Sequence, residues 1–196
     1  MIVVVRHGRT AANAGGLLLG RADPPLDDEG ARQATALAAA CVDLDVARIV
    51  TSPLGRCRQT AAAIADVLDG PAVDVDDRWI ELDYGELDGC RLEEVPAATW
   101  AAWRADIGWT PPGGESLAAM GARVREACAD LTGEAGERDV VVVSHVSPIK
   151  ASVAWALGVG DEVTWRMWVA PASITRIGCA GGQPTLRAFN EQKHLL

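Results

Sequence analysis

Two runs of aliphatic residues near opposite ends of the chain restrict its fold more than any other feature of the sequence. Ile2–Val5 and Val140–Val143 are continuously apolar, without the alternation expected of a strand that has one face in water. Such runs are typical of strands buried on both faces in a parallel sheet. A histidine follows each run closely, His7 and His145, where ligands of open α/β sheets bind. The sequence therefore predicts a buried parallel sheet with both histidines at the ends of its strands, an arrangement that suggests a catalytic pair.

The rest of the chain alternates between helix-like and strand-like segments. Asp27 is a natural N-cap for a helix to about residue 42, and Ser52 is expected to cap free amides at the start of the next helix. Further predicted segments are helices at 52–68, 117–131 and 148–157, strands at 48–51 and 72–75, and a closing hairpin of 174–179 and 185–189. This alternation predicts a three-layer α/β/α sandwich whose central sheet is mainly parallel with an antiparallel edge.

Length and composition favour one domain spanning residues 1–196, since the sequence contains no internal repeat and no dividing linker. Hydrophobic residues make up 49% of the chain, which is enough for a sizeable core. The formal net charge of −9 argues against nucleic acid and against an anionic membrane surface as partners, because both require surplus Lys and Arg. An anionic substrate must therefore be held by a local basic cluster.

The five cysteines predict neither a metal site nor a complete set of disulfides. Cys41, Cys57, Cys90, Cys128 and Cys179 form no C-x-x-C pair, have no histidine at metal spacing, and are odd in number. A reducing compartment, the cytoplasm, is the expected location. The sequence shows no signal peptide and no apolar run near the roughly 18 residues that span a bilayer, and it leaves the oligomeric state open.

Five short motifs follow one another along the chain in an order that is specific as a set. They are Arg6-His7-Gly8-Arg9-Thr10 with Asn13, Ser52-Pro53-Leu54-Gly55-Arg56-Cys57-Arg58-Gln59-Thr60-Ala61, Trp79-Ile80-Glu81-Leu82-Asp83-Tyr84-Gly85, Pro112-Gly113-Gly114-Glu115-Ser116, and Ser144-His145. Through them the chain resembles the histidine phosphatase superfamily, also called phosphoglycerate mutase-like, over nearly its whole length. The resemblance implies the phosphoglycerate mutase-like fold and phosphoryl chemistry on small phosphorylated metabolites.

The resemblance also implies a covalent mechanism in which His7 is the nucleophile. A neutral imidazole can approach a dianionic phosphoester, and a phosphohistidine intermediate divides one difficult displacement into two easier ones. Arg6 and Arg56 are implied as a guanidinium clamp on the phosphate, with His145 as a further donor that is cationic when phosphate is bound. Glu81 matches the family's acid position, where it protonates the leaving alkoxide and then activates water.

Three other polar residues near these motifs are candidates for substrate contact. Asn13 is expected to add a neutral donor to the phosphate. Arg21 lies in a loop that approaches the pocket in the family, where it either touches the non-phosphate part of the substrate or pairs with Asp23. Arg9 is equally compatible with a third phosphate contact and with a surface position, so it stays outside the catalytic set.

Each of these assignments competes with a simpler structural role. The alternative for Arg56 is a solvated charge on the surface of the helix, which is the role expected of Arg58. Glu81 lies in an acidic stretch that is also typical of a solvated loop, and Asp83 is the reserve acid. Cys57 is interpreted as a small, inert core residue although it places a thiol near the pocket.

Residues from about 90 to 112 are interpreted as a small cap over the pocket. This segment and the region near residue 165 contain five of the seven tryptophans: Trp100, Trp103, Trp109, Trp165 and Trp168. Trp100, Trp103 and Trp109 are expected either to pack on the sheet or to line the mouth of the pocket. The last two, three residues apart, are expected to face one way, in the core or in an apolar patch.

Three functions are compatible with the motifs, and a phosphomonoesterase without metal or cofactor leads because the full catalytic set is present. A cofactor-dependent phosphoglycerate mutase is the first alternative, weakened because the cap offers only Arg91 and Arg104 to hold a substrate carboxylate. A non-enzymatic phosphate-binding module is the second, and the intact catalytic set argues against it.

Overall fold

A six-stranded sheet forms the centre of the computed structural model, which describes residues 1–68 and 71–196. The strands are β1 (Ile2–Arg6), β2 (Val46–Thr51), β3 (Val73–Val75), β4 (Asp139–Ser144), β5 (Ile174–Gly178) and β6 (Thr185–Glu191). Their order in the sheet is β3-β2-β4-β1-β5-β6. Neighbouring strands among β3, β2, β4 and β1 pair in parallel. At one edge of the sheet, β5 pairs antiparallel with β1, and β6 pairs antiparallel with β5. The predicted sheet type is confirmed.

Six α-helices and four short 3-10 helices connect the strands within the described residues. The α-helices are α1 (Ala11–Ala14), α2 (Asp28–Cys41), α3 (Gly55–Val67), α4 (Ala97–Ala105), α5 (Leu117–Glu137) and α6 (Val146–Leu157). The 3-10 helices are Asp77–Trp79, Gly85–Leu87, Asp161–Arg166 and Lys193–Leu195. No helix in this part of the chain is long and apolar enough to cross a bilayer.

The valine runs are buried on both faces, as their composition predicts. One face packs on α2 and α3, in a core that includes Val3, Val5, Val141, Val143, Leu37 and Ile64. The other face packs on α5 and α6, in a core that includes Ile2, Val4, Val140, Val142, Met120 and Ile149. The alternation of neighbouring side chains between two helical layers confirms the three-layer sandwich.

The helix boundaries differ from the prediction mainly where tertiary contacts take over from local signals. Asp27 caps α2, because its side chain accepts a hydrogen bond from the Gly30 amide. The next helix begins at Gly55 rather than Ser52, since the backbone of Leu54 is still extended. Ser52 accepts a hydrogen bond from the Leu54 amide at 3.4 Å, as predicted, but it lies ahead of the helix, whose first amide, that of Gly55, donates to Asp23 at 2.7 Å.

The pairing of β1 with β4 places the two histidines side by side. Arg6 lies opposite Ser144 in the register, and the His7 amide donates to the Ser144 carbonyl at 3.1 Å. On the other side of β4, the Ser52 amide donates to the Val143 carbonyl at 3.0 Å. The carboxyl ends of β1, β2 and β4 therefore lie next to one another, where ligands of α/β sheets are expected to bind.

The loop after β1 packs so closely on the first turn of α2 that two glycines are required. A Cβ at Gly8 would overlap the Gly30 carbonyl oxygen, and a Cβ at Gly30 would overlap the Arg9 carbonyl oxygen. Backbone atoms have no rotamer through which to yield, so the loop that carries His7 is fixed against the helix.

We expect Gly30→Ala to lower the free energy of unfolding by about 1–3 kcal/mol, because the added methyl group must displace backbone. Gly133→Ala is the matched control in α5, where an added Cβ meets open space and helix propensity favours alanine by about 0.5–1 kcal/mol. Urea unfolding of both variants measures the difference. Equal stability of the two variants would contradict the close packing of this loop.

Candidate active site

A cavity of about 330 Å³ opens beside the carboxyl ends of β1 and β4. Polar side chains from the motifs lie on one part of its wall together with Ser147: they are Arg6, His7, Asn13 and Glu81. Apolar and aromatic side chains form the rest, including Tyr84, Leu92, Trp100, Trp103, Trp165 and Trp168. The site combines a small polar end with a wide apolar body, as small-molecule sites commonly do.

His7 is held with one ring nitrogen free. Its Nδ1 lies 2.7 Å from the Gly8 carbonyl oxygen. A carbonyl oxygen only accepts hydrogen bonds, so Nδ1 carries the proton and Nε2 carries the lone pair. Burial, then the nearby cations Arg6 and Arg56, lower the pKa of His7 well below its usual value. The imidazole is therefore a neutral base with Nε2 available for attack.

His145 packs against His7 and is fixed by a serine. The two ring centroids lie 5.1 Å apart, at an angle of 61°. Its Nε2 shares a hydrogen bond of 2.7 Å with the Ser52 hydroxyl, and its Nδ1 has only the Cys57 sulfur nearby, at 3.8 Å. Burial, then His7 and the arginines, lower the pKa of His145 well below its usual value. A bound phosphate dianion would oppose this shift by favouring the cation.

Arg6 and Arg56 each hold the guanidinium against backbone carbonyls and leave a buried Nε donor unpaired among the described residues. Arg6 Nη1 donates to the Val169 carbonyl at 2.7 Å. Arg56 Nη1 and Nη2 donate to the carbonyls of Ala22 and Gly20, each at 2.7 Å. The Nε atom of each arginine is buried without a hydrogen-bond partner among the described residues. Unpaired buried donors are costly, so this pair next to His7 indicates a site for an acceptor-rich anion.

Burial does not remove the positive charge of Arg6. It lowers the pKa of Arg6 to about 10, partly offset by Glu81. Arg56 and His145 are fully buried behind the cavity wall, whereas Arg6 and His7 line the cavity itself. The structure thus brings all four predicted phosphate-binding side chains together, two at the surface of the cavity and two beneath it.

Glu81 is buried on the cavity wall next to the start of α6. Its Oε1 accepts hydrogen bonds from the amides of Leu82 at 2.7 Å and Ser147 at 3.2 Å. Its Oε2 lies 3.4 Å from the Ser147 amide and is the less engaged oxygen. The interpretation of Glu81 as a solvated loop residue is wrong, because only 3% of it is exposed.

Arg123 of α5 positions the segment that carries Glu81. Its guanidinium donates to the carbonyls of Arg78 and Ile80 at 2.6 and 2.8 Å, and to the Glu81 carbonyl at 3.3 Å. The same group pairs with Glu115 at 2.8 Å. Sequence reasoning missed Arg123, and its only signal was a charge adjoining the apolar stripe of the helix.

The remaining candidates occupy different places. Asn13 lines the cavity, and because its Oδ1 accepts from the Thr10 amide at 3.1 Å, its amide nitrogen is left as a donor. Arg9 pairs with Asp27 at 2.9 Å. Arg58 is exposed, as expected.

Arg21 does not belong to the cavity wall. Its guanidinium lies 3.3 Å from Asp83 and 3.6 Å from Glu115. The predicted alternative, an ion pair between Arg21 and Asp23, is wrong. The Asp23 carboxylate instead accepts a hydrogen bond from the Gly55 amide at the start of α3 and lies 3.5 Å from Arg56. Asp83, the reserve acid, is engaged by Arg21 and by the Gly85 amide.

Cys57 lies fully buried between the strand ends and the second histidine. Its Sγ is 3.4 Å from His145 Nε2 and 3.5 Å from the Ser144 carbonyl. Burial raises the pKa of this thiol. A protonated, inaccessible thiol is chemically inert, which agrees with the interpretation of Cys57 as a core residue.

The tryptophans both pack together and line the cavity. Trp100 stacks on Trp103, with ring centroids 5.8 Å apart, and Trp165 meets both edge to face. Trp109 packs on Trp103 at 5.4 Å. Trp168 also faces the cavity, as expected from its spacing to Trp165, and is 65% exposed at the rim.

The fold and the site together define an α/β protein in which two histidines and two buried arginine Nε donors meet at the carboxyl ends of the central strands. The sequence profile of the histidine phosphatase superfamily (branch 1) matches residues 2–192. The chain belongs to this superfamily.

Three relatives show the range of names that the family carries. A glucosyl-3-phosphoglycerate phosphatase of Mycolicibacterium vanbaalenii is 38% identical over 201 residues, which cover 93% of this chain and 87% of the relative. A bifunctional protein of Mycobacterium tuberculosis is 33% identical over 99% of this chain, and the chain spans only 54% of that relative. A probable phosphoglycerate mutase of Yersinia enterocolitica is 33% identical over 184 residues, 90% of this chain and 83% of the relative.

Solved structures have the same fold. A mycobacterial glucosyl-3-phosphoglycerate phosphatase in complex with VO3 superposes with a TM-score of 0.87 at 30% identity, covering 97% of this chain and 98% of that one. Phosphoserine phosphatase from Entamoeba histolytica in complex with 3-phosphoglyceric acid gives 0.89 at 27% identity, covering 100% and 98%. The phosphoglycerate mutase-like fold is confirmed.

We expect the two buried histidines to make stability depend on pH. Their pKa values are lowered in the folded state, so acid favours the unfolded chain, and stability is complete above about pH 6.5, the unfolded value. Below it, each histidine costs up to about 1.4 kcal/mol per pH unit. Urea unfolding in phosphate-free buffer from about pH 5.5 to 7.5 measures the slope.

The control variant for this experiment is His145→Gln, which keeps a polar side chain next to Ser52 but does not titrate. It is expected to reduce the pH slope by up to one proton's worth, about 1.4 kcal/mol per pH unit. A wild-type stability that is flat across this range, or a slope unchanged in the variant, would contradict the burial of neutral histidines.

Proposed function

We propose that this chain is a phosphomonoesterase that hydrolyses small phosphorylated metabolites through a phosphohistidine on His7. The observation that carries the proposal is the pair of unpartnered guanidinium Nε atoms of Arg6 and Arg56 beside a neutral imidazole whose Nε2 is free. Fixed donors of this kind match the oxygens of a transferring phosphoryl group, over which negative charge spreads.

In the first step, His7 Nε2 attacks phosphorus and the bond between phosphorus and the ester oxygen breaks. Arg6, Arg56 and His145 stabilise the phosphoryl oxygens, and Asn13 adds a neutral donor from the cavity wall. The departing alkoxide takes a proton from Glu81, whose less engaged Oε2 is the oxygen suited to transfer it. The products are a free alcohol and phosphohistidine.

In the second step, water replaces the alcohol in the same position. Glu81, now ionised, takes a proton from the water molecule while the water oxygen attacks phosphorus. The bond between phosphorus and Nε2 breaks, and inorganic phosphate leaves. The Gly8 carbonyl keeps the His7 tautomer unchanged throughout, because it accepts from Nδ1.

Hydrolysis is favoured over mutase activity by the position of the basic residues in the cap. Arg91 and Arg104, the only basic residues of residues 90–112, are both exposed and lie outside the cavity wall. Arg104 instead lies over the rings of Trp100 and Trp165 at 5.9 and 5.6 Å. Relatives named as phosphatases of glucosyl-3-phosphoglycerate and phosphoserine support the same choice.

The lowered pKa values of both histidines support activity in the acid range. A nucleophile that stays unprotonated well below its usual pKa retains its lone pair in mildly acidic solution. The acid-type class of histidine phosphatase is therefore part of this proposal.

Residues 90–112 are proposed as a cap on a single domain of residues 1–196. The cap segment contains α4 and contributes Trp100 and Trp103 to the cavity wall. It is joined to the loop after β1, where the Leu18 amide donates to the Cys90 carbonyl at 2.8 Å. The five free cysteines agree with a reducing, cytoplasmic location.

Phosphate release from a panel of phosphomonoesters, with 2-phosphoglycerate detected in parallel from 3-phosphoglycerate, tests this function. We expect phosphate release without isomer formation, undiminished by EDTA. The described residues contain no cluster of three His, Cys, Asp or Glu side chains able to hold a metal ion. His7→Ala is expected to release no phosphate while keeping the wild-type fold, as judged by its circular dichroism spectrum.

Three results of this assay would contradict the proposal. Isomer without phosphate release would indicate a mutase. Wild-type rates in His7→Ala would show that His7 is not the nucleophile. Binding of phosphate without turnover of any ester would indicate a binding module.

The acid role of Glu81 is tested by leaving-group dependence in Glu81→Gln. We expect kcat/KM for an alkyl phosphate to fall by about 100-fold or more, because its alkoxide needs a proton. For para-nitrophenyl phosphate the loss should be much smaller, since its departing oxygen scarcely needs one. The ratio kcat/KM excludes the later hydrolysis step, so equal losses on both substrates would contradict the acid role.

A further inference from the structure

A carboxylate outside the cavity wall holds the loop on which Arg56 rests. The guanidinium of Arg56 donates to the carbonyls of Gly20 and Ala22, each at 2.7 Å. The amides of the same two residues donate to Asp88, that of Gly20 to Oδ1 at 2.7 Å and that of Ala22 to Oδ2 at 2.8 Å. Asp88 therefore fixes, through their amides, the two residues whose carbonyls hold the arginine.

Backbone pairing between two loops leads up to this carboxylate. The Leu18 amide donates to the Cys90 carbonyl at 2.8 Å, and the Gly89 amide donates to the Leu18 carbonyl at 2.7 Å. Beyond Leu18 the Asp88 side chain continues the pairing, since its two oxygens accept two amides of the following loop. Hydrogen bonds from an amide to a carboxylate are stronger than those between neutral groups, so this side chain sets the path of the loop.

Asp88 is engaged by the loop and lies outside the cavity wall. An ionised carboxylate only accepts hydrogen bonds, so it satisfies both amide donors at once. An asparagine at this position would accept from one of them only, because its NH2 group is itself a donor. The residue type therefore fits the task of holding two amides, which distinguishes Asp88 from Glu81, whose Oε2 is the less engaged oxygen.

The two loop carbonyls decide where the remaining donor of Arg56 points. A guanidinium group is planar and rigid, so hydrogen bonds at Nη1 and Nη2 also fix the direction of the Nε–H bond. Arg56 is fully buried, and its Nε has no partner among the described residues. Donors for a transferring phosphoryl group must be aligned before the reaction, and a misplacement of about 1 Å can lower the rate by about 100-fold. The path of the loop is therefore part of the alignment of Arg56.

We propose that Asp88 is a positioning residue, which holds the loop carbonyls where they align Arg56 with the phosphoryl group. The inference rests on the proposed phosphatase function and deepens it. Asp88 acts through Arg56 and contacts neither the phosphate nor the alcohol part of the substrate. Its loss should therefore weaken binding of the phosphoryl group itself, whichever alcohol the ester contains.

Turnover of para-nitrophenyl phosphate and affinity for inorganic phosphate test the inference in Asp88→Ala. We expect kcat/KM to fall by about 10- to 100-fold. The calorimetric Kd of inorganic phosphate should rise by about 10-fold, because a charge-assisted hydrogen bond from Arg56 is misaligned. Asp88→Asn keeps one of the two acceptors, so its losses should lie between those of the wild type and of Asp88→Ala. Asp106→Ala is the matched control and should leave both quantities close to wild type, because this exposed carboxylate also accepts a loop amide, that of Gly108 at 2.7 Å, but lies outside the cavity wall.

Removal of Arg56 shows whether Asp88 acts through it. In an Arg56→Gln background, Asp88→Ala should lower kcat/KM by less than about threefold, because the group that it aligns is gone. A merely structural role would instead lower the number of folded molecules and leave the Kd of phosphate unchanged. The assignment is overturned by an unchanged Kd in both Asp88 variants, or by the same factor lost with and without Arg56.

Failure of the proposed function is distinguishable from failure of this inference. A chain that is not a phosphatase would hydrolyse neither para-nitrophenyl phosphate nor alkyl phosphates, yet its Kd for inorganic phosphate would still depend on Asp88. A phosphatase in which Asp88 does not position Arg56 would hydrolyse these esters at wild-type rates in Asp88→Ala.

Discussion

The parallel pairing of β1 with β4 is the interaction on which the rest of the site depends. Its register sets Arg6 opposite Ser144 and joins the His7 amide to the Ser144 carbonyl. His7 and His145, more than 130 positions apart in the chain, thus become neighbours, and their ring centroids lie 5.1 Å apart. A slip of the register by one residue would turn the side chains of one strand toward the opposite helical layer and would separate the two histidines. The pairing that orders the two cores therefore also sets the geometry of the site.

The polar end of the site is assembled at a cost in stability. Two imidazoles are buried in neutral form beside two guanidinium groups, and one donor of each arginine has no partner among the described residues. Groups held in this way are already oriented for a dianion, so little reorganisation is needed when phosphoryl charge develops. Neighbouring contacts hold them in place: Ser52 on His145, the Gly8 carbonyl on His7, and the loop carbonyls on Arg56.

Sequence alone predicts most of the fold and most of the side chains that meet at the cavity, for identifiable reasons. The valine runs specify buried strands through composition, and Asp27 specifies a helix start through a hydrogen bond within three residues. The roles of Asp23 at the start of α3 and of Arg123 behind Glu81 were not predicted. Their roles depend on partners distant in sequence, such as Arg123 with residues about 40 positions earlier. Only the assembled fold shows which of several similar charges meets a buried carbonyl or a cavity.

If phosphoryl groups pass through His7, this residue carries phosphate during turnover, and mass spectrometry can identify it. The wild-type protein is mixed with a substrate that it hydrolyses, quenched within the first turnovers in alkali, digested and analysed by mass spectrometry. We expect phosphate on the peptide that carries His7, stable in alkali and lost in acid because the bond is between phosphorus and nitrogen. Phosphate on His145 or on a carboxylate, or phosphate release with no phosphorylated peptide at any time, would rule out His7 as the nucleophile.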